Sequence, residues 1–532
     1  MFQSKPILSQ GIWRSDRDTV ASTSRRDVVL HYERARSILR RSGLSRQDIE
    51  NLTPKFWDFQ FDWRPDLQDL IDKLLNFDIC AGFMLAEVDH GLDAHNLETT
   101  ATLLPDGSYD LHTPHAGASK AMPPTTPYCG MPRIAIVFAR LLIDGKCHGV
   151  KPFLVCLSDA CGMRPGVTSR ILPIRIGTKP LDHCLTTFDH VDLPYSALLG
   201  SSSEPESDRL GFLRQIWQAS AGTLSLSLMG ISAIKVGTRV AAVYSERRMI
   251  TAPDGSAPRE IMSFSTQQRP IVEGWVQGEV LHAFARWTIG MCPDLADATQ
   301  HALATIFKAT VMRASQISRP LAERCEWQGL FACNQISELD LTFQGISIVE
   351  GDTLTLCIYF VSELLGEKLE LPEARNRSSR LAQHEDRLML DMKSRLETIG
   401  GVKQYFDPAF DRHILSRCRL LAEAIGNRMA YEAAEASGLS PAVLTLYERI
   451  CMCEELNHLP MMGPQDRADT QCQFSEPYNN VLAQIKSDST SQSDLDDYVT
   501  APIMSQESRT PLMDNVHTSK HLHDVTAPFP KL

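Results

Sequence analysis

Three clusters in this chain combine reactive residue types with a suggestive spacing. In the first, Glu350-Gly351-Asp352 follows the apolar Ile346, Ile348 and Val349. A carboxylate in apolar surroundings keeps its basicity high and suits a general base, and Gly351 lets the backbone approach a ligand closely. The same pattern also fits a solvated glutamate at a helix N-terminus, with Asp352 favoured by the helix dipole. In the second, Arg247-Arg248 precedes Phe264-Ser265-Thr266-Gln267-Gln268. The rigid donor fork of arginine suits a phosphate, and the two amides add donors and acceptors; ordinary surface charge beside a loop is the alternative. In the third, Glu87-Val88-Asp89-His90-Gly91 leads to Glu98-Thr99-Thr100. Here His90 fits either a turn or a ligand contact, and Thr99 and Thr100 fit either strand packing or a ligand contact. There is no GxGxxG, Walker A, GxSxG or HExxH pattern. The 14 cysteines are scattered with no CxxC pair and no zinc spacing, even at Cys451 and Cys453. Cysteines so dispersed read as small buried hydrophobes in a reducing compartment.

The elements that must hold these residues change along the chain. His31–Arg41 and Ser45–Glu50 are helical in type, an aromatic cluster runs from Phe56 to Trp63, and Leu67, Leu70, Ile71 and Leu74 recur at helical spacing. From 76 to 205, short runs rich in Val, Ile and Phe (Ile134–Ile143, Pro152–Leu157, Arg170–Ile176) alternate with turn signals such as Pro105-Asp106-Gly107 and Asp144-Gly145. Thr187–Asp192 closes this block as a strand-like alternation. Beyond a Ser201–Ser207 linker, Leu210, Leu213, Ile216 and Trp217 and then Leu224, Leu228 and Ile231 return to helical spacing. Leu303, Ile306, Phe307, Val311 and Ala314 line one face of an amphipathic helix, and Leu354–Leu364 and Arg417–Ala434 read the same way.

These patterns predict an α+β multidomain chain. Its expected parts are an N-terminal helical segment (1–75), a central antiparallel β domain (76–205), a helical bundle carrying Glu350 (206–365), a second C-terminal helical region (366–462) and a disordered tail (463–532). The tail is polar, with ten Asp and Glu against five Lys and Arg over 464–532, too little apolar surface to offset its ordering entropy. The 532 residues carry a net charge of −12, with an isoelectric point near 5.8, which argues against nucleic acid as a partner. The apolar runs are too short for a membrane span. Lys5, Arg14, Asp16 and Arg17 leave no signal-peptide core at the N-terminus, so an intracellular protein is expected.

Taken in order, the three clusters resemble the acyl-CoA oxidase and acyl-CoA dehydrogenase superfamily. Glu87–Asp93 with Asn96–Thr102 resembles the oxidase branch's T-E-x-G-H-G…L-E-T-T-A-T stretch. Arg247-Arg248 with Phe264–Gln268 resembles its Arg-plus-F-x-T-Q-Q segment, and Ile348–Thr353 resembles the E-G-[DET]-[NT] segment with the catalytic glutamate. The resemblance covers residues 55–455 and implies an acyl-CoA dehydrogenase-like fold, with FAD as cofactor and an acyl-CoA as substrate. It further implies Glu350 as the base that removes the α-proton, in a desaturation that yields a trans-2-enoyl-CoA. The thioester oxygen would meet the glutamate's own backbone N–H and a flavin hydroxyl. By the same resemblance Arg247, Arg248, Gln267, Gln268, Thr99 and Thr100 bind the cofactor, and Gly351 and His90 lie against the substrate. O2 or an electron-carrier protein takes the electrons, and a homodimer is implied because the pyrophosphate contact often comes from a neighbouring subunit.

Four positions depart from the family pattern: Ala86 for threonine, Asp89 for glycine, Pro123-Pro124-Thr125 for Pro-Gly-Gly, and Glu326 for glycine in Cys325–Gly329. They define an alternative, a non-catalytic family member that acts as a binding or partner subunit. The terminal Pro530-Lys531-Leu532 resembles the Ser-Lys-Leu peroxisomal address and predicts a peroxisomal import receptor as partner. Shortened relatives in secondary-metabolite (toxin-like) pathways make that setting the companion to peroxisomal β-oxidation.

Overall fold

The computed structural model describes residues 25–42, 68–203, 219–401, 407–456, 475–490 and 499–505, apart from short internal gaps. Ser45–Glu50, the Phe56–Trp63 cluster, Leu210–Trp217 and the Pro530–Leu532 terminus lie outside the described residues. The chain divides into two compact units, Met1–Ala221 (together with Leu532) and Gly222–Lys531.

The first unit is built on two sheets. The larger runs β1 (Cys80–Met84), β5 (Arg133–Ile143), β2 (Thr100–Leu103), β3 (Tyr109–His112) and β9 (Val191–Leu193), with β6 (Lys146–Ser158) on β5. The smaller is β4 (Lys120–Pro124), β8 (His183–Phe188) and β7 (Val167–Ile171). The long β5 organises the larger sheet, because β1 and β2 pair with its two halves in parallel while β6 follows it antiparallel. The sheet is therefore mixed, not wholly antiparallel. Inward residues such as Ala135, Val137, Leu141, Phe153, Val155 and Leu111 make its core, as the period of two in a strand requires. Two expected strands differ. The Arg170–Ile176 run stops at Ile171, before Pro173. Thr187–Asp192 is broken by a turn at His190 (φ 50°), which separates β8 from β9. Helix α1 (Arg25–Ser42) packs Val28 and Tyr32 against Cys80 and Met131.

The second unit is helical. Its elements are α3 (Ala219–Arg247), α4 (Ser265–Met291), α5 (Asp297–Ala314), α6 (Ile336–Ile346), α7 (Thr353–Leu365), α8 (Arg380–Thr398), α9 (Ser416–Ala436), α10 (Pro441–Leu456) and α11 (Glu476–Thr490), while α2 (Gln68–Leu75) precedes β1. The regions expected at 206–365 and 366–462 share one unit from Gly222 onward, because α9 packs on α4, α5 and α7. The Gly222–Arg247 stretch of α3 is long and apolar enough to cross a membrane by length and composition, which the shorter runs considered above were not. Most of it is buried, with Leu224, Ile231, Ile234 and Val240 facing the bundle.

The tail expected to be disordered contains α11, whose Tyr478, Val481 and Ile485 are buried as it packs on α10 and α4. Further on, Ile503 is buried and its N–H donates to Asn334 Oδ1 at 3.2 Å. Three apolar residues at helical spacing order a polar segment when a bundle face is there to receive them.

Candidate active site

Glu350 lies on the loop between α6 and α7, half-buried, at φ 54°, followed by Gly351 at φ 86°. A non-glycine residue in the left-handed region costs on the order of 1–3 kcal/mol and persists only where its surroundings impose it. Three consecutive carbonyls of this turn are held by buried side chains. Lys308 Nζ donates to Val349 O and to Gly351 O, both at 2.6 Å, and Thr223 Oγ1 donates to Glu350 O at 2.9 Å. The turn then enters α7 through Asp352, whose carboxylate accepts from Thr355 N at 3.0 Å as an N-cap. Thr353 ties back to Ser347 O through both its N–H (3.0 Å) and its hydroxyl (2.7 Å).

The carboxylate itself lies against Gly222, where an added Cβ would sit 2.9 Å from Glu350 Oε2. Ile348, Val349 and Leu354 are exposed apolar side chains next to it in the chain. Burial pushes the Glu350 carboxyl up, and Lys308 pulls it partly back. Burial also pushes the Lys308 ammonium down to about 8 against the opposing pull of Glu350, Asp352 and Cys357. The Glu350 amide donates to no group among the described residues. A raised carboxylate beside an uncommitted N–H is the arrangement that α-proton removal next to a carbonyl requires: a base for the carbon and a donor for the oxygen.

The other expected residues are distributed elsewhere. Arg247 and Arg248 are exposed at the C-terminal end of α3, the same helix whose Gly222 touches Glu350. Twenty-five residues of helical rise separate them from that contact by roughly 37 Å, so within one chain they do not join the Glu350 centre. Arg247 Nη1 donates to Ile503 O at 3.2 Å, and Arg248 Nε lies 3.6 Å from Glu326 Oε1. Gln267 Nε2 donates to Ser245 Oγ (2.8 Å) and Arg324 O (2.7 Å), and Gln268 Nε2 donates to Met262 O (2.9 Å). Both glutamines therefore use their amide N–H groups to shape the segment beside the arginines.

In the β unit, Thr99 is fully buried, and its hydroxyl donates to Glu87 Oε1 at 2.6 Å. Thr100 Oγ1 reaches His112 O at 3.5 Å. Both hydroxyls therefore have partners inside the β unit. Glu87 forms a fully buried ion pair with Lys120 at 2.9 Å. Burial alone would raise its carboxyl, yet Lys120 and hydrogen bonds from Thr99 and the Glu98 amide hold it below the ordinary value. His90 is half-buried between carboxylates, with Nε2 3.4 Å from Glu98 Oε2 and Nδ1 3.9 Å from Asp93 Oδ2.

The four departures have visible consequences. Asp89 fits because its carboxylate lies where Gly117 has no Cβ. Glu326 takes a left-handed conformation (φ 56°), the one that favours glycine. Thr125 buries its hydroxyl against Ser169 (2.6 Å) and Thr186 (2.8 Å). Of the residues expected at FAD, the two arginines are the ones whose side chains could meet its phosphates. Arg247 and Arg248 keep guanidinium N–H groups beyond their single contacts, whereas Ala86, Thr99 and Thr125 have no hydroxyl to offer.

Sequence reasoning missed Lys308, Thr223 and Gly222. One signal was present for Lys308, the lone charge in the run Ala302–Met312.

No protein-family model matches the chain. It is 24% identical over 302 residues to a putative peroxisomal acyl-coenzyme A oxidase 1.2 of Arabidopsis thaliana, covering 51% of this chain and 44% of that protein. It is also 24% identical over 313 residues to the peroxisomal acyl-coenzyme A oxidase 3 of Homo sapiens, covering 54% and 44%. The aligned stretch thus spans less than half the length of these curated relatives. Among solved structures, a tomato (Lycopersicon esculentum) acyl-CoA oxidase superposes at TM-score 0.78 with 15% identity, over 99% of this chain and 94% of that one. The Caenorhabditis elegans acyl-CoA oxidase-2 described as bound with FAD, ascaroside-CoA and ATP superposes at 0.75 with 16% identity, over 99% and 92%. The architecture is that of the acyl-CoA oxidases. The curated relatives and the ordered motifs point the same way, so the chain is similar in both sequence and fold to the acyl-CoA oxidases.

Proposed function

We propose that this chain desaturates an acyl-CoA thioester between its α- and β-carbons, as an acyl-CoA oxidase, to give a trans-2-enoyl-CoA. The observation that carries the reading is Glu350, a half-buried carboxylate raised above its ordinary value on a turn held at three carbonyls. In this reading Glu350 takes the α-proton, and the Glu350 N–H donates to the thioester oxygen where negative charge develops. Gly222 leaves room for the carboxylate, and Gly351 lets the chain pass close to the thioester. The exposed apolar Ile348, Val349 and Leu354 near the base in the chain offer an apolar surface to an acyl chain.

The chemistry that bound FAD supplies is acceptance of the hydride leaving the β-carbon, with O2 as final acceptor by analogy with the oxidases named above. Arg247 and Arg248 hold its phosphates. Their distance from Glu350 along α3 supports a homodimer in which the arginines of one copy serve the centre of the other. A peroxisomal location accords with the relatives' names, and the product suits β-oxidation or a secondary-metabolite acyl pathway.

The test is the visible spectrum of the purified protein during anaerobic addition of a panel of acyl-CoAs. A flavin spectrum that bleaches with one of them, and fails to bleach in Glu350→Gln, is the expected result. A protein that stays colourless after reconstitution with FAD overturns the reading and leaves a binding or partner subunit.

A further inference from the structure

We propose that Lys308 is a positioning residue for the reaction centre, aligning the Glu350 carboxylate and polarising the Glu350 amide through the carbonyls it grips. This rests on the reading of Glu350 as the base. Lys308 comes from the middle of α5, is 1% exposed, and is surrounded in sequence by the buried Ile306, Phe307, Ala309 and Val311. Its ammonium makes no ion pair within 4 Å among the described residues, and its two short hydrogen bonds both go to backbone carbonyls. A buried cation without a carboxylate against it is unfavourable for stability alone, and an apolar side chain of similar size would suit this core better. Its retention calls for a gain elsewhere, and the two carbonyls indicate what that gain is.

Lys308 fixes the peptide that enters Glu350 through Val349 O and, through Gly351 O, the peptide after Gly351, while Thr223 fixes the one between them at Glu350 O. These bonds fix the backbone from which the carboxylate projects, and the carboxylate lies against Gly222. The second effect is electronic. The peptide that joins Val349 to Glu350 accepts from the Lys308 cation at its oxygen and presents the uncommitted Glu350 N–H at its other end. A charge-assisted hydrogen bond to a carbonyl strengthens the N–H of the same peptide as a donor. That N–H is the group the reaction needs as the thioester oxygen gains charge. The charged and titratable groups that act on Lys308 are Glu350, Asp352 and Cys357.

Because these effects belong to the transition state, removing Lys308 is expected to lower kcat and leave KM almost unchanged. Lys308→Met in the FAD-loaded protein should lose about 10²-fold in kcat, the size of effect that a small misplacement of catalytic groups produces. Its KM for the acyl-CoA should stay within about threefold of the wild-type value, as expected when only transition-state interactions are lost. Lys308→Arg, which keeps a cation and its donors, should recover part of the loss. The acid limb of kcat/KM should move to higher pH in Lys308→Met and not in Lys308→Arg.

A readout separate from turnover is exchange of the α-hydrogens of bound acyl-CoA with deuterium, followed by NMR, which should slow in parallel with kcat. Wild-type kcat in Lys308→Met overturns the proposal. So does a loss of kcat that tracks melting temperature, with no shift of the acid limb and no rescue by arginine. If Lys308→Met fails to fold, Lys308→Arg and Thr223→Val carry the test. Thr223→Val should lower kcat and slow α-hydrogen exchange at constant KM, and wild-type values in both variants overturn the proposal. Glu350→Gln separates the two readings. If it is inactive while Lys308→Met is unimpaired, only the role of Lys308 falls. If Glu350→Gln itself turns over normally, the assignment of the base falls first.

Discussion

Burial raises the Glu350 carboxyl, so the folded chain holds that proton more tightly than the unfolded chain does. The stability this contributes is fully present below the ordinary carboxylate value of 4.5 and is lost as pH rises through the higher folded value. At neutral pH the ionised side chain is therefore a burden on the fold. Glu350→Gln should melt at a higher temperature than wild type at pH 7, and the difference should shrink toward zero near pH 4. The same variant should lose roughly 10²–10⁴-fold in turnover, the usual contribution of a positioned base. A melting series across pH beside a turnover assay checks both, and a lower melting temperature at pH 7 would contradict the sign. Gly222 offers a second residue-scale test. Its substitution by alanine places a Cβ 2.9 Å from Glu350 Oε2, so Gly222→Ala should move the carboxylate and cost about tenfold or more in kcat, since misplacement of reacting groups is costly. Unchanged kcat in Gly222→Ala would mean that the carboxylate does not work from this position.

Helix α11 shows how an element can be stable and yet hidden in composition. Its buried apolar anchors are Tyr478, Val481 and Ile485, in a segment otherwise rich in Ser, Asp and Gln. Val481→Asp places an unpaired carboxylate in that contact and should destabilise the helix by about 2–4 kcal/mol. Hydrogen exchange should then show α11 opening while α5 keeps its protection, and retained protection of α11 would show that Val481 does not anchor it. An average over residues 464–532 cannot register three side chains spaced for one face. By contrast, α5 and α9 were legible because their apolar residues repeat over four or five turns. The break between β8 and β9 was not legible, since alternation runs through Asp189 and His190 while the backbone turns there at φ 50°. The site divides in the same way. Glu350 announced itself by a carboxylate after an apolar run, a local signal. Lys308 and Thr223 act on its backbone from 41 and 127 residues away, and carbonyl acceptors leave no mark in side-chain pattern.

At the scale of the whole molecule, two sets of buried groups set the alkaline response in opposite directions. Burial pushes Lys120 and Lys308 down to about 8, from an ordinary 10.5. Between those values the unfolded chain binds more protons than the folded one, so stability rises with pH. Burial pushes the thiols of Cys325, Cys357 and Cys418 up to about 12, from an ordinary 9.0. Above pH 9.0 the unfolded chain sheds protons that the folded chain keeps, so stability falls, and Tyr244, also raised to about 12 from 10.0, adds to that fall. The lysines act alone between pH 8 and 9, and above pH 9 three thiols outnumber two ammonium groups. The melting temperature should hold or rise up to pH 9 and then decline with increasing steepness, most of all above 10.5, where the lysine contribution ends. Cys418→Ala provides the internal control. It should lower the melting temperature at pH 7 through lost packing, because Cys418 is fully buried, and it should flatten the decline above pH 9 because one of the three resisting thiols is gone. A melting curve that falls steadily from pH 8, or a Cys418→Ala curve parallel to wild type across pH 9–11, would show that charge repulsion on the acidic surface, and not the buried thiols, governs the alkaline limit.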